Sequence, residues 1–259
     1  TTITGGVAVT LRDSQNSFGK IGNFIAFKEL DSIIEKVWEN TSASLKTIIN
    51  VQSKFNLDNL YQDYPEYKNV IGNGGKDKRV RANAFENFVI FTPEKQSESD
   101  YKMLGLVGTK REYRFVNPKY IDKDSYIHKF KVFVPESNGA SGMLGEESAR
   151  IISKPELGEA NTGVTQTFIA VGEFDTKAEA EGLFKYIKSK FCRVLLGALK
   201  VTQRNNSQTW AKVPLQDFSS SSDIDWTKSI PEIDQLLYVK YRLDDKEIAF
   251  IEKKVTAME

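Results

Sequence analysis

The chain carries one cysteine, Cys192, and one histidine, His128, among its 259 residues. A lone cysteine closes no internal disulfide, which points to a reducing, cytoplasmic setting and to Cys192 as a small buried hydrophobe. With a single His and a single Cys, zinc sites and Cys–His or Ser–His catalysis lack their raw material. No apolar run approaches the length of a membrane span, and the mean hydropathy is −0.41, so no membrane partner is expected. The opening Thr1-Thr2-Ile3-Thr4-Gly5-Gly6-Val7 has neither the basic nor the apolar stretch of a secretory signal. Methionine first occurs at Met103, and the chain reads as a piece of a longer protein.

What is present is charge, unevenly placed. The formal net charge is +1. Yet the segment 185–212 holds Lys185, Lys188, Lys190, Arg193, Lys200, Arg204 and Lys212 with no acid, while 217–259 has ten acids against six bases. One side of such a chain can meet a polyanion.

Strand patterns are expected at 3–11, 20–27, 87–92, 103–107, 112–116, 129–134 and 166–171. A helix is expected over 30–50, with Ile33, Ile34, Val37 and Trp38 on one face and a break at Asn40-Thr41-Ser42. The capping box Thr176-Lys177-Ala178-Glu179 opens the longest helix, 177–200, and Ser229 to Glu232 and Asp244 to Glu247 open two short ones. The reading is α+β: a mixed-sheet domain with one long amphipathic helix and a C-terminal helical hairpin. Three parts are expected: 1–50, 51–215 and a helical appendix, 216–259, packing on the rest of a parent protein or on a second copy.

Three basic clusters are candidates for contact with DNA. In the 177–200 helix, Leu183, Ile187, Phe191, Val194 and Ala198 share one face, and Lys185, Lys188, Arg193 and Lys200 fall across the other. That stripe could track phosphates, and it runs on into Arg204, Asn205 and Asn206, side-chain types that pair with base edges. The second cluster is Lys76, Lys78, Arg79 and Arg81, in a glycine-rich stretch suited to entering a groove. The third is Lys110-Arg111-Glu112-Tyr113-Arg114, a hairpin with an aromatic between bases. Each also reads as an ordinary solvated surface. Glu173, Asp175 and Lys177 have the letters of a metal-dependent nuclease, but they sit where a helix N-terminus attracts acids.

From Lys131-Val132-Phe133-Val134-Pro135 onward a series of motifs accumulates. It includes Thr165-Gln166-Thr167-Phe168-Ile169, Phe174-Asp175-Thr176, Lys185-Tyr186-Ile187-Lys188, Val213-Pro214-Leu215-Gln216 and Asp223-Ile224-Asp225-Trp226. Together they resemble the C-terminal, target-recognition region of adenine-specific DNA methyltransferases of type II restriction–modification systems, many of which fuse methylation and cleavage. The match spans about residues 85–259, and Gly5-Gly6-Val7 resembles the family's sheet-closing strand. The resemblance implies double-stranded DNA and a catalytic methyltransferase domain as partners. It also implies S-adenosylmethionine as the cofactor of the parent enzyme rather than of these residues. It transfers no catalytic residue: the cofactor loop and the Asn-Pro-Pro-Tyr motif would lie before Thr1. Asn117-Pro118-Lys119-Tyr120 has lysine for the second proline and reads as a strand-end turn. The rival expectations are a stand-alone nuclease and a subunit scaffold without DNA affinity.

Overall fold

A computed structural model describes residues 10, 12–16, 25–72, 78–123, 125–138 and 142–258. The strands expected at 3–11 and 20–27 fall largely outside them, as does Lys76. Helix α1 (Lys28–Glu39) buries Leu30, Ile33, Ile34 and Val37, the face its periodicity announces. It ends where Asn40, Thr41 and Ser42 offer the backbone side-chain hydrogen bonds in competition with the helix. A 3₁₀ turn at Leu45–Ile48, capped by Ser44, follows and leads into β1 (Ile49–Asn50), so the expected 30–50 helix is halved.

The chain then builds a lobe on short helices α2 (Leu57–Asp63), α3 (Tyr67–Ile71) and α4 (Ala84–Asn87). Strands β2 (Tyr101–Val107) and β3 (Lys110–Val116) form a hairpin whose turn residue Gly108 has φ +57°. The expected strand 87–92 does not form; only Thr92 bridges, to Phe115. Phe85, Phe88, Ile90 and Phe91 instead turn into a core with Phe55, Tyr67 and Met103, and packing overrides strand propensity.

Strands β4 (Phe130–Pro135), β5 (Glu156–Gly158), β6 (Thr162–Val164) and β7 (Phe168–Phe174) follow. One sheet runs β1-β7-β4-β5, antiparallel throughout; the other runs β3-β2-β6, with β2 and β6 parallel. Leu104, Phe133, Val164, Phe168 and Ala170 join the two lobes. Helices and mixed sheets together make this an α+β protein.

Helices α5 (Lys177–Lys188) and α6 (Lys190–Gly197) replace the single helix expected over 177–200. Ser189, with ψ 149°, ends the first and caps the second, its Oγ accepting from the Cys192 amide at 3.1 Å. Helices α7 (Ile230–Lys240) and α8 (Asp245–Lys254) close the chain, each opened by its expected capping box. They are no appendix. Ile233, Leu237, Phe250 and Ile251 lie in the same core as Leu30, Val132, Leu183 and Trp210. The first and last of the described helices thus share one core, and a second core forms within residues 55–127.

Candidate nucleic-acid interface

The basic stripe does not survive folding. Lys188, Arg193 and Lys200 are buried, and their charged ends serve the interior. The helix breaks at Ser189, and Arg193 in α6 is wholly buried. Its Nε donates to the carbonyls of Lys188 and Ser189 at 3.0 and 3.2 Å, its Nη1 to those of Arg150 and Thr256 at 3.1 and 2.7 Å. Lys188 lies over the Phe184 ring. Half-buried Lys185 donates to three successive carbonyls, of Trp226, Thr227 and Lys228. Lys185, Arg193 and Lys200 answer main-chain oxygens and Lys188 is buried against a ring, so a duplex cannot be tracked by them as a row.

The hairpin cluster is divided. Lys110 is exposed near the turn. Arg111 is tied to Glu156 at 2.7 Å and to the Lys154 carbonyl at 2.8 Å, and Arg114 to Glu112 at 2.8 Å.

The remaining two groups converge. The Gln166 amide donates to the Val80 carbonyl at 2.8 Å, and Glu136 to Thr167 at 2.8 Å. Asn205 donates to Glu136 at 2.7 Å, and Asn138 to Gln203 at 3.1 Å. Four segments, 79–81, 165–167, 136–138 and 203–205, therefore lie side by side on one rim. Arg79 and Arg204 are both exposed on its two outer segments, which three sheet-like spacings of roughly 4.8 Å would set about 14 Å apart. Lys78, at φ +54°, is 3.4 Å from Asp122, and half-buried Arg81 donates to the Ile71 carbonyl at 2.9 Å. Arg204 is 3.4 Å from Glu136 with its side chain 70% exposed, a contact of the kind that contributes little in water. Asn206 caps the 3₁₀ turn Ser207–Lys212, accepting from Gln208 and Thr209, while Asn205 is wholly buried. Asn205 and Asn206 are thus supports, not free readers of base edges. Ser137, Gln166 and Thr167, uncharged residues that were not among the candidate DNA contacts, complete the rim.

Two buried titratable groups were also not legible. Lys131 donates to the carbonyls of Ile127, Lys129 and Glu159, and burial pulls its pKa down to about 7. Asp234 accepts the Lys190 and Phe191 amides at 3.0 and 2.9 Å, and burial pushes its pKa up to about 6 from an ordinary 3.8. The folded chain therefore keeps a proton on Asp234 that the unfolded chain releases. This contribution favours folding at low pH and is lost as pH rises from about 4 to about 6. Relative to Asp234→Asn, the native chain should lose about 2–3 kcal/mol of unfolding free energy across that window. Parallel urea titrations between pH 4 and 7 measure the difference, and a native chain gaining on the variant would contradict it. The difference is needed because exposed carboxylates such as Asp63, held low by Lys119 and Tyr120, drive the opposite trend.

The nuclease letters do not converge. Glu173 accepts from Asn50 at 3.0 Å, Asp175 pairs with Lys129, and Lys177 is 4.0 Å from Glu181. Among the described residues no group of three or more His, Cys, Asp or Glu could hold a metal ion, and no helix is long and apolar enough to cross a membrane. His128, exposed at a 3₁₀ turn rather than in a strand, lies 2.8 Å from Asn161 and 3.3 Å from the Tyr101 hydroxyl. The chain matches no protein-family profile and no curated protein.

Proposed function

We propose that the chain is the DNA target-recognition part of an adenine-specific restriction–modification methyltransferase. In this reading it positions a duplex while a separate catalytic domain, using S-adenosylmethionine, flips and methylates adenine. The observation that carries the proposal is the backbone ladder setting Arg79 and Arg204 on one rim. Its breadth of about 14 Å suits the major groove, which is roughly 12 Å wide. Residues distant in sequence, picked out for their base-pairing chemistry, thereby stand at the two ends of one rim. Lys78 and Lys110 remain at the surface for phosphates, in place of the buried stripe. The resemblance supplies the adenine specificity, and the lone cysteine the cytoplasmic setting.

Titrating the 259-residue chain with a 20-base-pair duplex between about 50 and 200 mM salt tests the reading. Binding should weaken steeply, with a log–log slope near −0.9 for each phosphate contacted. Binding that ignores salt, or no binding at all, would favour the scaffold.

A further inference from the structure

Next to the rim lies a buried polar network with no stabilising logic of its own. Lys200 is 2% exposed although Val201 beside it is 81% exposed. Its Nζ donates to Asn138 Oδ1 and to the Ile151 carbonyl, both at 2.5 Å. Asn138 Nδ2 donates to the same carbonyl at 2.6 Å, and Asn205 Nδ2 donates to Pro135 at 2.8 Å and to Asn138 Oδ1 at 3.3 Å. Two features of this network run against stability. Ile151 is a β-branched residue at φ +68°, a left-handed conformation that such residues rarely adopt. Asn205 Oδ1 is a buried acceptor without a partner. Strain and an unmet acceptor in one place point to a geometry kept for function.

That geometry has an evident object. Arg204 stands between two anchored neighbours: Gln203 accepts the Asn138 amide, and Asn205 is fixed by its own amide and its side chain. The Arg204 backbone is pinned while its guanidinium projects outward. We infer that Lys200, Asn138 and Asn205 form an internal clamp that aims Arg204, setting DNA sequence preference without touching DNA. The inference rests on the recognition reading above. The three are positioning residues, which pre-organise a contact made by another. Gly142 fits the arrangement, because a Cβ there would overlap the Asn138 amide. Burial lowers the Lys200 pKa to about 8, so the ammonium, with its short charge-assisted bonds, still prevails at neutral pH.

The test uses the whole chain, its Lys200→Met and Asn205→Ala variants, and a pool of 20-base-pair duplexes with a randomised centre, read by sequencing the bound fraction. Asn205→Ala removes the unpartnered acceptor together with the amide, so its fold is the safer of the two. Circular dichroism and salt slope should stay unchanged in both variants. Enrichment of preferred sequences should fall about tenfold, and exchange of the Asn138 and Asn205 amides should rise about tenfold. A salt slope reduced by one unit in Lys200→Met would overturn the clamp by making Lys200 a phosphate contact. Unchanged amide exchange, unchanged enrichment, or loss of the fold in both variants would overturn it as well. If the unaltered chain enriches no sequence, the recognition reading fails, and the effect assigned to the clamp fails with it. If it enriches and amide exchange stays unchanged in the variants, the clamp alone fails.

Discussion

Arg193→Ala should lower the unfolding free energy by about 3–5 kcal/mol, the range for breaking a buried charge and its partners. Arg193 is wholly buried and its guanidinium answers four carbonyls. Those carbonyls belong to the α5–α6 break, to residue 150 and to Thr256 just after α8, so one side chain ties three separate stretches together. Alanine removes this donor from the Lys188, Arg150 and Thr256 carbonyls, each loss costing roughly 1–3 kcal/mol and offset where the segments relax toward water, while the Ser189 carbonyl keeps the main-chain amide of residue 193. It also leaves the volume of a large side chain unfilled. Burial pulls the guanidinium down to about 10, which still leaves it charged at neutral pH. Lysine should rescue little, because one ammonium cannot reproduce a planar fork reaching in several directions. The urea midpoint should fall with the slope unchanged. A midpoint that holds while the DNA salt slope drops would return Arg193 to the surface role that the sequence suggested.

The second large effect is on recognition. Arg79→Ala and Arg204→Ala should each cost about 1–3 kcal/mol of binding to a preferred sequence and relax one position of it. The two arginines sit on separate outer segments of the rim, and distant sites act nearly independently, so the double variant should lose close to the sum. Arg204→Ala also exposes Glu136 to the duplex. Adding Glu136→Gln should recover the part of the loss due to repulsion. Competition binding on the native chain and these four variants measures all of these terms. Equal losses on preferred and random duplexes would reduce both arginines to phosphate contacts.

Local signals were legible and distant ones were not. The capping boxes at Thr176, Ser229 and Asp244 each form within four residues, so sequence alone suffices for them. The β2–β3 hairpin and the buried face of α1 follow equally from local pattern. The break at Ser189 could not be read, since no proline or glycine marks it. Its backbone amides are capped by Asp234, 44 residues away from Lys190. The same holds for the stripe: helical periodicity placed Arg193 and Lys200 on a polar face, but the carbonyls awaiting them come from residues 150, 151 and 256. For the rim, composition picked out both ends, 72–83 and 203–210. Their meeting depends on Glu136 and Gln166, which have no distinguishing chemistry of their own.

The most direct test of the rim as the DNA-contacting surface is hydrogen exchange of the chain with and without a 20-base-pair duplex. Protection should appear together at 78–81, 136–137, 166–167 and 203–206, and should leave α7 and α8 unchanged. Protection at only one end of the rim, or confined to the acidic groove around Asp223 and Trp226, would contradict it.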